Sequence, residues 1–179
     1  MTKLAPNALA LVALLAFGGA ASAQQATAPT GNPLDVIPDK MPFSTPYGAP
    51  ISLARAQTAI SAAMAEADKR GWALNVAVVD SGANLVAFGR MDGAQLASIA
   101  AAEHKARASA SYRRPTKNFE DGVQKSDFKY LLSLDGLIAS RGGIPLIEDG
   151  KLIGAIGCSG GTGSQDEAAC TAGAATINK

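Results

Sequence analysis

The fold is decided by the stretch GGIPLIEDGKLIGAIGCSGGTGSQDEAACTAG, residues 142–173. Residues 144–148 and 151–158 are rich in aliphatic and small side chains, and Asp149-Gly150 separates them. An Asp-Gly pair between two apolar runs predicts a two-residue hairpin turn, because both turn positions require a positive φ. A glycine-rich loop then leads into a predicted helix from about residue 165 to residue 177. The stretch therefore predicts a β-hairpin followed by a helix that returns across it.

The residues before this stretch alternate between helical and β patterns. In chain order, they first predict a helix from the N-cap Ser52 until Gly71 and two strands, over 73–80 and 84–90, that are joined by a turn. A second helix is predicted over 96–112. Residues 117–135 show weaker helical or turn signals, and residues 137–140 predict a strand. The helix over 96–112 ends before Pro115, because the residue before a proline is pushed out of helical geometry. The order α-β-β-α-α-β-β-β-α predicts an α+β fold with a mainly antiparallel sheet of about five strands, flanked by helices.

The N-terminal residues are predicted to lie outside this fold. Residues 1–23 combine Lys3, an apolar run and the cleavage-site pattern Ala21-Ser22-Ala23, which is typical of a secretory signal peptide. The alternative is a membrane anchor, but the run is shorter than the ~20 apolar residues that a spanning helix needs. Residues 24–50 hold six of the nine prolines and predict an extended arm, whose Phe43 and Tyr47 either dock on a folded domain or move freely. The remaining domain covers residues 51–179, and the expected location is periplasmic or secreted.

Composition excludes several classes of function. The chain has 179 residues, enough for one domain, and its 16 basic and 15 acidic side chains give no electrostatic footprint for nucleic acid or an acidic membrane surface. A single histidine and two cysteines exclude a zinc or copper site with several His or Cys ligands within one chain. No nucleophile-elbow motif is present, and no catalytic residue is assigned.

Three runs carry a resemblance to a known family. VVDSGANLVAFGRMDGA (78–94), KARASASYRRPT (105–116) and the stretch over 142–173 resemble the GlcG/HbpS family, which includes the C-terminal domain of PduO-type proteins. The resemblance covers residues 51–178 in order. It implies a profilin-like α-β-α sandwich, assembly into a homo-oligomer (octamers occur in the family) and, as in several members, binding of haem. Secreted members act as haem sensors or scavengers.

His104 is the candidate ligand of haem iron. At about 100° per residue it shares a helical stripe with small side chains, which are Ala97, Ala101, Ala108 and Ser111. A flat macrocycle could lie on such a stripe with the imidazole on iron, since a single protein histidine commonly holds haem. The alternative is a histidine that is hydrogen-bonded at a helix or subunit contact.

Cations and hydroxyls near the end of the same helix are the candidate partners of the haem propionates. They are Arg107, Arg113, Arg114, Thr116 and Lys117. Arginine binds carboxylates through a bidentate fork. The alternative is that these cations only complement the helix dipole.

Two further features of the sequence resemble sites. Cys158 and Cys170 lie on a predicted strand and on the helix that returns across it, and export would favour a disulfide. A usual strand-to-helix separation of ~10 Å exceeds the ~7 Å that a disulfide spans, so the sequence leaves this pairing open. The loop over 157–163 lacks the Lys-Ser/Thr ending of a phosphate-binding loop, and Asp166 and Glu167 would repel phosphate, so nucleotide binding is not expected.

The sequence thus favours an exported haem-binding protein that scavenges, buffers or senses haem, and a non-catalytic role over an enzymatic one. Haem and further copies of the same chain are the expected partners; a membrane sensor partner is left open, and neither nucleic acid nor a stable membrane anchor after signal cleavage is expected. Two alternatives remain. One is an enzyme or accessory protein that acts on a small carboxylated metabolite, with Arg113 or Arg114 as the carboxylate clamp, and the other is haem degradation.

Overall fold

The computed structural model describes residues 37–41 and 43–178. The predicted signal peptide and most of the predicted arm lie outside these residues. The chain divides into the units Met1–Asp39 and Lys40–Lys179, and the features below belong to the second unit. Its elements are α1 (Leu53–Asp68), β1 (Asn75–Asp80), β2 (Leu85–Arg90), α2 (Ala97–Tyr112), α3 (Lys117–Lys125), a 3₁₀ helix (Lys129–Ser133), β3 (Gly143–Glu148), β4 (Lys151–Ser159) and α4 (Gly163–Ala174).

Among the described residues the strands form one antiparallel sheet in the order β2-β1-β4-β3. The predicted α+β fold with an antiparallel sheet is confirmed, and both predicted hairpins, β1-β2 and β3-β4, are present. The sheet has four strands and not about five, because residues 137–140 form no strand. Directly after them the backbone N–H of Arg141 donates to the Glu120 carboxylate of α3 over 2.7 Å, so the chain is tied to a helix before it enters β3.

Helices cover both faces of the sheet. Val76 and Val78 of β1 face a core shared with α1 and α4, whereas Ala77 and Val79 face a second core shared with α2. This division follows from the period of two along a strand. The predicted α-β-α layering is therefore present in the described part of the chain.

Close approach of backbones holds these layers together. A Cβ atom placed on Gly157 of β4 would collide with the backbone of Ala102 and Ala106 in α2. A Cβ on Gly173 of α4 would lie 2.6 Å from the carbonyl oxygen of Ala59 in α1. Glycine at these two positions lets α2 lie directly on the sheet and α4 directly on α1.

A covalent bond fixes α4 to the end of β4. Cys158 and Cys170 form a disulfide with their Cα atoms 5.6 Å apart, so the pairing that the sequence left open is made. Thr162 caps α4 in a reciprocal capping box with Gln165, and the helix begins at Gly163, slightly earlier than predicted.

The last residues of the predicted arm extend the sheet. Tyr47 pairs in parallel with Leu152, where the backbone of β4 continues beyond β1. Gly48 N–H donates to Leu152 O over 2.7 Å, and Leu152 N–H donates to Pro46 O over 2.8 Å. The arm end thus uses backbone groups of β4 that would otherwise be unpaired.

No helix among the described residues is long and apolar enough to cross a membrane.

Candidate functional site

A cleft of about 500 Å³ opens between the C-terminal end of α2, α3, the 3₁₀ helix and the arm. This volume lies within the range typical of small-molecule sites. Most of the wall is apolar or aromatic. The cleft is lined by Phe43, Arg114, Asn118, Phe119, Asp121, Gly122, Lys125, Ser126, Phe128, Tyr130 and Leu131.

Arg114 places a positive charge among the aromatic rings of the cleft. Its guanidinium carbon lies 3.2 Å from the ring centre of Phe43 and 5.1 Å from that of Phe119. Its Nε donates to the carbonyl oxygen of Tyr112 over 3.2 Å, and no described carboxylate forms an ion pair with it. Burial lowers the pKa of Arg114, because the charged form has lost water without gaining an anion. An anionic ligand would supply that missing partner.

The other charges of the cleft are balanced within the protein. The ammonium groups of Lys117 and Lys125 both contact the carboxylate of Asp121 and lower its pKa to about 2. Lys125 nevertheless remains largely exposed, with 65% of its side chain accessible, so it can turn toward a ligand at the rim. Arg114 is therefore the cation of the cleft that lacks an acidic partner in the described part of the molecule.

The aromatic wall comes from two neighbouring elements. Phe119 of α3 is buried and packs edge-on against Tyr112, with ring centres 5.3 Å apart. Phe128 is half-buried beside Tyr130, and Tyr130 is 46% exposed. The rings line an open slot in which a planar ligand can make apolar contacts.

His104 and Arg107 lie outside the cleft, on the outer face of α2. His104 is exposed, and its imidazole makes no hydrogen bond or ion pair with any described residue. Arg107 is also exposed and pairs with Glu103 over 2.9 Å. The small side chains of Ala97 and Ala101 leave the imidazole open, whereas Ala108, one turn further along the predicted stripe, is fully buried.

Arg113 and Thr116 serve the packing of the domain. Arg113 ends α2 in the left-handed conformation, with φ 55°, and donates to Thr45 O over 3.1 Å. Thr116 is fully buried, and its hydroxyl accepts a hydrogen bond from Gly143 N–H over 2.9 Å. Of the six residues predicted from His104 to Lys117, only Arg114 lines the cleft.

Sequence patterns did not point to several residues that line the cleft. Phe128 and Tyr130 fall within the segment that shows only weak helical or turn signals, and Phe43 belongs to the arm. The available signal was the concentration of aromatic residues at 119, 128 and 130 close to the Arg113-Arg114 pair.

A buried ion pair was also missed. Lys105 of α2 donates to the carboxylate of Asp166 in α4 over 2.7 Å and to Cys158 O over 3.2 Å. Both side chains are only 3% exposed, and desolvation raises the pKa of Asp166. Asp166 also accepts from Gly161 N–H over 3.0 Å, so the pair fixes the glycine-rich loop and does not line the cleft.

Within the described residues no group of three or more His, Cys, Asp or Glu side chains could hold a metal ion.

Comparison with known proteins agrees with the three-layer fold. Residues 51–175 match the family model described as "Haem degrading protein HbpS-like". Protein GlcG of Escherichia coli strain K12 is 36% identical over 109 residues, which is 61% of this chain and 81% of GlcG. A crystal structure of a double mutant of Streptomyces reticuli HbpS is 28% identical, covers 84% of this chain and all of its own, and superposes with a TM-score of 0.68. The crystal structure of a PduOC:haem complex is 28% identical, covers 73% of this chain and 96% of its own, and gives a TM-score of 0.66.

Proposed function

The chain belongs to the HbpS-like family, and from this premise we propose that it is an exported haem-binding protein. The observation that carries the proposal is the haem complex of PduOC, which shares the fold at 28% identity. Haem is a flat, largely apolar molecule with two carboxylates and its own iron. A protein that binds it needs an apolar slot, a cation for the carboxylates and a ligand for the metal.

The cleft fits haem in shape and in charge. Phe128 and Tyr130 offer ring surface to the macrocycle, and Arg114 offers an unpaired guanidinium to a propionate. Lys125 stands at the rim as a second cation. Bound haem would supply the redox and ligand-binding chemistry of its iron, while these residues bind and orient it.

The outer face of α2 is a second candidate location. His104 is exposed there without a hydrogen-bond partner, between small side chains, so its imidazole is free to bind iron. Arg107, one turn further along, would have to leave Glu103 in order to bind a propionate. Neither His104 nor Arg107 lines the cleft of the single chain, and a macrocycle on this face would need a second subunit to cover it.

Export is supported by the cysteines as well as by the predicted signal peptide. The Cys158–Cys170 disulfide lies inside the domain, and structural disulfides persist in oxidising compartments. A periplasmic or extracellular haem-binding protein could scavenge, buffer or sense haem.

Assembly into a homo-oligomer is part of the same proposal, and light scattering of the mature protein at several concentrations tests it.

Titration of the mature protein with hemin, followed at the Soret band, tests the proposal. Saturable binding is expected for the wild type, and Arg114→Gln should weaken it by about 10-fold or more if a charge-assisted pair to a propionate is lost. Arg107→Gln is the matched control, because it removes an exposed arginine of α2 outside the cleft. If His104→Ala weakens binding and Arg114→Gln does not, the haem lies on the outer face of α2. Absence of saturable binding by the wild type refutes the function.

The unpaired charge of Arg114 also favours the alternative of a small carboxylated metabolite in the same cleft. That function predicts thermal stabilisation by hydroxy acids, together with no affinity for hemin. Haem degradation predicts loss of the Soret band when reductant and oxygen are added to the complex, and no such loss without the protein.

A further inference from the structure

The residues that line the cleft restrict which of them could bind iron. The protein ligands commonly used for haem iron are His, Cys, Met and Tyr. Of these four types, only Tyr130 is found among the residues that line the cleft. His104 is on the outer face of α2, and both cysteines are joined in the buried disulfide.

The hydroxyl of Tyr130 is available for a ligand. The residue is 46% exposed, and no described residue forms a hydrogen bond with its hydroxyl group. By contrast, the hydroxyl of Tyr112 donates to Asp135 O over 2.7 Å, and that of Tyr47 donates to Ser111 O over 2.9 Å. Within the described part of the chain, Tyr130 is the tyrosine whose hydroxyl has no partner.

The backbone under Tyr130 is held in place. Phe128 N–H donates to Gly122 O over 3.0 Å, which ties the start of the 3₁₀ helix to α3. The next residue after Tyr130, Leu131, is buried against Gly122. The hydroxyl of Ser133 donates to Tyr130 O over 2.6 Å. These contacts position the phenol at the wall of the cleft.

Arg114 provides the charge that a tyrosine ligand needs. A phenol binds ferric iron as the phenolate, and a nearby cation favours that form. Burial lowers the pKa of Arg114, and attraction to Tyr130 is the largest effect that opposes this lowering. Arg114 and Tyr130 line the same cleft, so a ligand bound there would meet both the guanidinium and the phenol.

We propose that Tyr130 is the ligand by which this protein holds the iron of haem in the cleft, with Arg114 as the residue that stabilises the phenolate. The proposal rests on the haem-binding function above. The phenol oxygen donates an electron pair to ferric iron, and its proton leaves to solvent. No electron is transferred in this step.

Spectroscopy of the ferric hemin complex tests the proposal directly. The wild-type complex is expected to show the resonance Raman modes of an iron-bound phenolate, and Tyr130→Phe should abolish them and weaken hemin binding by about 10-fold or more. Tyr130→Phe keeps the ring at the cleft wall, and unchanged circular dichroism establishes that the variant is folded. Arg114→Gln should weaken binding by about 10- to 100-fold, as loss of a residue that supports a metal ligand does. Tyr112→Phe is the matched control and should keep both the Raman modes and the affinity.

The outcomes separate the two proposals. If the wild type binds hemin saturably but shows no phenolate modes, or if Tyr130→Phe leaves the spectrum unchanged, Tyr130 is not the ligand and the haem-binding function stands. If the spectrum changes only in His104→Ala, the ligand is His104 and the present assignment is overturned. If the wild type does not bind hemin at all, both proposals fail.

Discussion

Replacement of Lys105 by methionine should destabilise the protein far more than loss of any surface cation. Lys105 and Asp166 are each 3% exposed and 2.7 Å apart. Lys105→Met would leave the carboxylate buried without a counter-charge, and breaking a buried pair in this way typically costs about 3–5 kcal/mol. With a urea m value of about 2 kcal/mol per molar, a cost of about 4 kcal/mol lowers the unfolding midpoint by about 2 M.

The cost should depend on pH. Desolvation raises the pKa of Asp166 in the folded protein, and Lys105 opposes that effect, so the pKa rises further in the variant. An acid whose pKa is higher in the folded than in the unfolded state binds protons more readily when folded. Its protonation therefore favours folding at low pH, and stability falls as pH rises through the folded pKa. The loss caused by Lys105→Met should accordingly be smaller at about pH 4 than at about pH 7.

Urea unfolding at the two pH values measures this prediction, with the disulfide left intact. Arg107→Met is the control on the same helix: its pair with Glu103 has side chains that are 47% and 24% exposed, and its loss should cost no more than about 1 kcal/mol. Adding Asp166→Asn to Lys105→Met removes the buried charge but keeps an acceptor for Gly161 N–H, and should restore part of the stability. A cost below about 1 kcal/mol for Lys105→Met, or the same cost at both pH values, would show that Lys105 does not neutralise a buried Asp166 carboxylate.

Three further predictions concern the disulfide, the sheet and the rim of the cleft. Reduction of the Cys158–Cys170 disulfide, which closes a separation of 12 residues, should lower the free energy of unfolding by about 3 kcal/mol in urea titrations with and without reductant. Gly157→Ala should cost about 1–3 kcal/mol in the same assay, because its Cβ would press on the backbone of α2. The carboxyl of Asp121 should titrate at about 2 by NMR, and Lys117→Met should raise this pKa. Because the folded pKa of Asp121 is depressed, the stability it contributes is present above the unfolded pKa and is lost as pH falls through about 2.

Local signals predicted much of the fold. Asp149 and Gly150 adopt φ values of 47° and 71°, as the hairpin turn inferred from the sequence requires. The helix that starts at the N-cap Ser52 and the one that ends before Pro115 also depend on short-range rules, and both are present. The strand predicted over 137–140 failed because apolar composition indicates a strand only where a neighbouring strand is available for pairing. Among the described residues, no strand of the sheet pairs with residues 137–140.

The cleft depends on contacts between residues that are far apart in the sequence, and local patterns do not contain them. Tyr47 and Leu152 are paired although about a hundred residues separate them, and this pairing brings the arm to α2. Phe43, which is far from Arg114 in the sequence, then stacks on its guanidinium. A proline-rich composition correctly argues against a helix or an internal strand, but it does not predict whether an extended segment docks.

Arg113 and Arg114 show how a single backbone angle separates two residues that are equivalent by sequence. Both follow the last turn of α2, and both were candidates to bind a carboxylate. The left-handed φ of 55° at Arg113 reverses the chain, and its side chain bonds the arm at Thr45 O. The next residue, Arg114, therefore has different neighbours from Arg113. It stacks on Phe43 and lines the cleft, where no described carboxylate forms an ion pair with it. A variant at Arg113 should therefore loosen the arm, whereas a variant at Arg114 should remove the charge available to a ligand, although the two are adjacent and chemically identical.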